Sequence, residues 1–284
     1  MKNNTPILEA RDISFSYEMD TNTSLNSVNL KIHRGQKIAF MGANGSGKST
    51  FFLCLNGIHE PKDGELLLDG QSVTYNRKGL SQLRSKVGIV FQNPDNQLFS
   101  ASVYQEISFG ILNQGVDKIT AGAEVERIME QLGITGFKDR STHALSGGQK
   151  KQVSIADILV MKPEVIILDE PASSLDPKHT KIVNEIVDKL TEQGITVLMA
   201  THDIDYAYEW ADEIVLMHRG TVLKQGSPLE ICTNHEALTT ANLHEPTVLR
   251  LFQKLKKSGI LAEELDPPQS MKELEVLIDE RKII

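Results

Sequence analysis

The sequence predicts an α/β fold with a mainly parallel core sheet, an antiparallel N-terminal β layer, a helical insert and a C-terminal helical extension. Three observations predict it. A glycine-rich loop, Gly42-Ala43-Asn44-Gly45-Ser46-Gly47-Lys48-Ser49-Thr50, stands between a short apolar run at 37–41 and a helix-forming run at 51–55. Two continuous apolar runs, 165–168 and 195–200, read as parallel strands buried on both faces. Apolar residues at helical spacing occupy 103–138.

The elements follow in order. Residues 7–17 and 28–32 alternate polar and apolar side chains, as half-buried strands do. Residues 65–68 followed by Asp69-Gly70 read as a strand and a turn, and 87–91 as another strand. In the insert, Val103, Ile107 and Ile111 share one helical face, and Val125, Ile128, Met129 and Leu132 share another. A helix is expected from about 150 to 161, and another from about 178 to 191 between the two buried strands. Residues 213–224 read as a hairpin turning at His218-Arg219-Gly220.

Two S-x-x-E spacings, Ser227 with Glu230 and Ser270 with Glu273, predict capping boxes in the last sixty residues. Between them, Val248, Phe252 and Leu255 form one helical stripe; Leu274, Leu277 and Ile278 form another after Ser270. This tail is either folded on the core or an appendage for dimerisation or partner docking.

Composition narrows the class. The chain has 284 residues, ample for a substantial core. A net charge of −8 argues against general nucleic-acid binding. Cys54 and Cys232 make no disulfide framework and suit a reducing compartment. The first residues, 1–6, do not resemble a signal peptide. No run approaches the roughly 18 apolar residues that span a bilayer. A membrane role therefore has to run through a partner.

The glycine loop matches G-x-x-x-x-G-K-[ST] at Gly42, Gly47, Lys48 and Ser49. A strand, a glycine turn and a helix start aim backbone N–H groups at one anion. Lys48 is placed to reach the β- and γ-phosphates of a nucleotide, and the Ser49 hydroxyl to sit on Mg²⁺. A ligand-free Gly/Ser loop is the plainer alternative. The strand at 165–168 ends in Asp169-Glu170, whose side chains should face opposite ways. Asp169 is the expected Mg²⁺ ligand and Glu170 the group that polarises an attacking water. Leu145-Ser146-Gly147-Gly148-Gln149 precedes a helix, with Ser146 a good N-cap, and offers a second anion-facing helix start 98 residues beyond Lys48. By itself that pentapeptide is also a plain turn.

This set resembles the ATP-binding subunits of ABC transporters. The loop 42–50, Gln92, Leu145–Gln149, residues 165–170, Ser173-Ser174-Leu175-Asp176 and His202 occur in that family's order over about residues 7–230. The resemblance implies an ABC-type P-loop ATPase. Its ATP-binding domain covers 5–240, with a helical signature subdomain at about 93–161 and an extension at 241–284. It implies ATP and Mg²⁺ as cofactors, and two subunits packed head to tail. Each ATP then lies between the loop 42–50 of one subunit and Leu145, Ser146, Gly147, Gly148 and Gln149 of the other.

By the same resemblance, Tyr17 stacks on adenine, unless it is simply an edge-strand tyrosine. Gln92 touches Mg²⁺ and the water, Asp176 ends a loop that contacts the other subunit, and His202 orients Glu170. Catalysis thus falls to Glu170, His202 and Lys48, and Mg²⁺ to Ser49, Gln92 and Asp169.

The segment 88–99 is similar to energy-coupling-factor importers. Together with 77–80, 100–104 and 145–151, it is most like cobalt-import subunits. That implies a partner ATP-binding subunit, identical or related, an integral membrane coupling subunit and a substrate-specificity subunit, at the cytoplasmic face of the cell membrane. Nickel or a vitamin is the alternative cargo. Gln152 stands where the family usually has Arg, which removes a charge near the signature helix and bears on contacts to the partner chain. Two readings from other classes compete: a non-transport ABC ATPase and a regulatory nucleotide-binding module. Against the first stand the single motif set, the 98-residue gap without heptads and the acidic charge; against the second stands the complete set Lys48, Ser49, Asp169, Glu170 and His202.

Overall fold

A computed structural model describes residues 5–18 and 23–279. Residues 1–4, part of the stretch read for a signal segment, lie outside the described residues. Strands β1 (Leu8–Phe15), β2 (Leu25–Ile32), β4 (Asp63–Leu68) and β5 (Gln71–Ser72) form an antiparallel sheet in the order β2-β1-β4-β5. The expected polar–apolar alternation holds over 28–32, where Val28, Leu30 and Ile32 are buried, and is uneven in β1. Register shifts of the bulge type interrupt the β1–β2 pairing, with Asp12 at φ 50° and Ser27 at φ 48°. Asp12 Oδ1 accepts from Ser27 Oγ at 2.7 Å and Asn29 Nδ2 at 2.8 Å, tying the irregular stretch together.

The second sheet holds six strands, ordered β10-β9-β3-β8-β7-β6. These are β3 (Lys37–Met41), β6 (Val87–Val90), β7 (Val165–Asp169), β8 (Thr196–Ala200), β9 (Glu213–His218) and β10 (Thr221–Gly226). From β9 to β6 all neighbours run parallel, and only the hairpin strand β10 is antiparallel. Every residue of β7 and β8 is buried, which is why both read as unbroken apolar runs.

Helix α1 (Lys48–Leu55) runs between the two sheets. Phe51, Phe52, Cys54 and Leu55 are all buried, and Phe40 meets the Phe52 ring edge-on at 4.9 Å. Helix α2 (Arg77–Lys86) was not expected. Leu83 is its one buried residue, so it carries no apolar stripe to detect; Asn76 caps it by accepting from Gly79 N.

The insert is two helices where the spacing predicted one helical stretch over 103–138. Helix α3 (Val103–Asn113) ends before Gly115, at φ 84°, and α4 (Lys118–Gln131) restarts under Asp117, which accepts from the Ile119 and Thr120 amides. Both predicted faces are buried. They pack with helix α5 (Gly147–Leu159) into the main core. Helix α6 (Pro177–Glu192) connects β7 to β8, and α7 (Ile204–Trp210), also unforeseen, follows β8.

The tail contains α8 (Pro228–Cys232), α9 (His235–Thr240), α10 (Thr247–Lys257) and α11 (Met271–Asp279). Of its two readings the structure supports folding on the core. Val248, Leu249, Phe252, Leu261 and Leu274 belong to the main core cluster, and Tyr208 Oη donates to Pro268 O at 3.2 Å. The two capping signals form in part. Ser227 and Ser270 accept from the amides three residues on, but Glu273 bonds Gln269 N rather than the cap residue's own amide.

A charged network ties four loops and helix ends outside the sheets. Lys86 Nζ lies 2.8 Å from Asp69 and 3.0 Å from Glu164, and Arg34 also pairs with both carboxylates. Burial raises the Asp69 pKa, but bonds from Lys86 and Arg34 outweigh it and hold the carboxyl below its ordinary value. A carboxyl depressed on folding stabilises above its unfolded pKa, near 3.9 for Asp, and that gain fades as pH falls through the folded value. Asp69→Asn is therefore expected to cost about 1 kcal/mol at pH 7, the scale of a partly exposed pair. Denaturant midpoints of the two proteins should converge as the pH drops below about 4.

Candidate functional site

The C-terminal ends of β3, β8, β7 and β6 open at one edge of the parallel sheet, and the site is assembled there. The loop 42–47 leaves β3 and turns into α1. Gly42 adopts φ 141°, and a Cβ there would fall 2.2 Å from the Met217 carbonyl. Gly47 adopts φ 106°, and a Cβ there would lie 3.0 Å from Ser24 O and 3.2 Å from Gly220 Cα. Lys48 is 5% exposed. Its Nζ donates back to Gly42 O at 2.8 Å and Ala43 O at 3.2 Å. Burial lowers the pKa of this ammonium, while the Glu170 and Asp169 carboxylates pull it the other way.

Asn44 to Thr50 line an open cleft of about 800 Å³ together with Tyr17, Gln92 and Glu170. Tyr17 is 40% exposed, and its Oη lies 3.3 Å from Thr50 Oγ1. Its ring stands edge-on to Phe15 and His59. Four further wall residues escaped the sequence reading: Thr23, Ser24, Arg219 and Gly220. The hairpin turn was legible, but its docking was not. Gly220 N donates to Ser46 O at 2.9 Å, and nothing local in Arg219-Gly220 signals that contact.

Glu170 is the hub of the opposite wall. It leaves β7 at φ 46°, and its amide donates to Ala200 O. Its Oε1 lies 2.7 Å from His202 Nε2, and its Oε2 accepts from Gln92 Nε2 at 2.9 Å. His202 sits just beyond β8, beside Asp203, whose carboxylate caps α7. Asp169, the last residue of β7, is 8% exposed and faces the Ser49 side. Burial holds its carboxyl above the usual aspartate range, against a hydroxyl bond from Ser49 and the charges of Lys48 and Lys151. Its Oδ1 is buried and makes no hydrogen bond. A hydroxyl beside a buried carboxylate oxygen without a donor is a donor set that fits a hard cation such as Mg²⁺, which keeps waters and takes few protein ligands.

The signature segment lies elsewhere. Ser146 caps α5 through a reciprocal box with Gln149, at 3.3 and 3.1 Å, while Leu145 is buried. Gly147 has open space where a side chain would start, but a Cβ on Gly148 would fall 2.1 Å from the His179 ring. His179 Nδ1 lies 2.7 Å from Asp176 Oδ2, and Asp176 also caps α6. The structure thus brings Asp176 to the signature helix through His179. None of residues 145–149, nor Asp176, lines the cleft. Gln152 is 9% exposed and donates to Leu132 O at 3.3 Å.

A family model described as "ABC transporter" matches residues 25–173, which include the cleft loop, Gln92, the signature and Glu170. The chain belongs to the ABC transporter family. It is 43% identical to an "Energy-coupling factor transporter ATP-binding protein EcfA" of Methanococcus maripaludis, over 90% of this chain and 91% of the other. It is 43% identical to an EcfA3 protein of Clostridium perfringens, over 92% of each. It spans 56% of a longer "Putative ABC transporter ATP-binding protein" of Methanosarcina mazei, at 42% identity. Among solved structures, CbiO1 of Clostridium perfringens, described as part of the ABC transporter complex cbiONQ, matches with TM-score 0.73 and 41% identity, over 88% of this chain and 99% of that one. A dimeric ATP-binding cassette holding ADP and Pi matches with TM-score 0.71 and 26% identity, over 78% of this chain and 98% of that one. The expected fold and the expected ATPase class therefore stand for this ABC ATPase.

The Gly148–His179 contact has a direct consequence in this cassette. Gly148→Ala should cost about 1–3 kcal/mol, the scale of an overpacked contact. Adding His179→Ala should return most of that loss relative to His179→Ala alone. Denaturant unfolding of the four proteins measures both steps.

Proposed function

We propose that this chain is the ATP-binding and hydrolysing subunit that energises import of a transition-metal ion, cobalt first, through an energy-coupling-factor transporter. One observation carries the hydrolytic part: Glu170, which lines the cleft together with Lys48, is held between the Gln92 amide and the His202 imidazole.

In this proposal Lys48 exchanges its bonds to the Gly42 and Ala43 carbonyls for phosphate oxygens. The amides of Ala43 to Thr50 cradle the triphosphate, and Tyr17 lies under the adenine. Glu170 accepts the proton of the attacking water at a carboxylate oxygen, and His202 Nε2 with Gln92 Nε2 fixes that carboxylate in place. Ser49, Asp169 and Gln92 are the proposed Mg²⁺ holders; the metal would offset charge on the phosphates. Leu145 to Gln149, exposed at Ser146 and open at Gly147, contact the triphosphate held by a second subunit, with Asp176 beside them. The same proposal assigns 5–240 to the ATP-binding unit and 241–284 to its extension.

No helix among the described residues is long and apolar enough to cross a membrane. Coupling would therefore run through a surface contact. A cleft of about 1360 Å³ between α2 and α3 is floored by Ile89, Ile158 and Met161 and edged by Arg77 and Arg84. Phe109 lines it, and exposed Phe99 meets that ring edge-on at 5.0 Å. We assign this face to the integral membrane coupling subunit, with the chain on the cytoplasmic side. Cobalt is supported by the 77–80, 88–104 and 145–151 segments and by the likeness to CbiO1; nickel or a vitamin remains the competing cargo.

Glu170→Gln is expected to keep ATP affinity, lose at least about a hundredfold in turnover, and accumulate an ATP-bound dimer by light scattering. Native turnover in that variant would remove Glu170 from its role. Lys48→Ala should abolish nucleotide binding by calorimetry. In cells carrying the whole transporter, uptake of radioactive cobalt should vanish with Glu170→Gln; uptake of nickel or a vitamin instead of cobalt would reassign the cargo.

A further inference from the structure

Lys151 lies five residues beyond Ser146 on α5, and it is 1% exposed. A lysine this buried needs partners. It finds them in two backbone carbonyls, Phe91 O at 2.9 Å and Gln92 O at 2.8 Å. These residues follow β6, where parallel pairing with β7 ends at Val90 opposite Leu168. Their carbonyls have left the ladder, and the lysine supplies the donors the sheet no longer does. Two further bonds pin the segment to α5. Gln97 Nε2 donates to Ser154 O at 2.8 Å, and Lys150 lies 2.6 Å from Asp95. Among the described residues, Lys151 is the side chain that bonds the Gln92 backbone. From that backbone the Gln92 carboxamide reaches Glu170 Oε2.

We propose that Lys151 is a positioning residue for ATP hydrolysis: by gripping the Phe91 and Gln92 carbonyls it holds the Gln92 carboxamide on Glu170. An ammonium bonded to two successive carbonyls restrains the peptide plane between them. Releasing it lets the carboxamide swing, and misplacement on the order of 1 Å can cost about a hundredfold in rate. Lys151 also sits on the helix that starts at Ser146, so signature helix and glutamine segment move together.

This inference rests on Glu170 being the base. Steady-state ATP hydrolysis by the full chain, with ATP and Mg²⁺, tests it. Lys151→Met keeps the stem and removes the donors. The expected result is kcat lower on the order of tenfold with KM for ATP unchanged, and recovery of most of the loss in Lys151→Arg. In a Gln92→Ala background, Lys151→Met should add less than about twofold, because the group it positions is gone. A full penalty in both backgrounds, or a raised KM with native kcat, overturns the proposal. Should Lys151→Met fail to fold, Lys151→Gln is compared in the same two backgrounds by the same criterion. Glu170→Gln run in parallel separates the two failures. Native turnover there removes the base assignment; a dead Glu170→Gln beside an unimpaired Lys151→Met removes only the positioning role.

Discussion

The parallel register of β3, β8, β7 and β6 is the constraint on which the site depends. Parallel strands all end at the same edge of a sheet. Once β3 pairs with β8, β8 with β7 and β7 with β6, residues just past positions 41, 90, 169 and 200 become neighbours. The cleft loop, Gln92, Glu170 and His202 are those residues. Gln92 and Glu170 stand 78 positions apart in the chain, yet the pairing leaves no other place for them. Burial on both faces fixes the pairing in turn, since a one-residue slip would exchange faces along the whole strand.

Charge balance is the second constraint. Two buried lysines, Lys48 and Lys151, stand near two carboxylates, Asp169 and Glu170. Burial pulls the Lys151 pKa down to about 8, against the pull of both carboxylates, and it raises that of Asp169. Neither sign of charge is tolerable alone in such surroundings. Each lysine also bonds backbone carbonyls that have left regular structure, so the charges order the loops as well as one another.

Close packing fixes what charge does not. The hairpin turn at Gly220 rests on the cleft loop, and the His179 ring covers Gly148. Both contacts join segments far apart in the chain. They explain why a glycine occupies those positions even where the backbone is ordinary, as at Gly148, which lies inside a helix.

Sequence alone determined the identity of most elements and which residues are candidates for the site. The glycine loop, the apolar runs of β7 and β8, Asp169-Glu170 and the Ser146 cap are local patterns, set by backbone sterics and by periodic burial. Helix α2 and the division of the insert escaped because their reasons are not local. Helix α2 buries only Leu83, and the 103–138 stretch hides a break at Gly115 under a continuing apolar rhythm. Tertiary structure alone decided which side chains touch: Gln92 and His202 on Glu170, His179 on Gly148, Gly220 on Ser46, Lys151 on the Gln92 backbone. Such contacts depend on distances between strands and helices that no spacing along the chain encodes. It also settled that the tail folds back, because Phe252 and Leu274 bury their surface in the core only once the core exists to receive them.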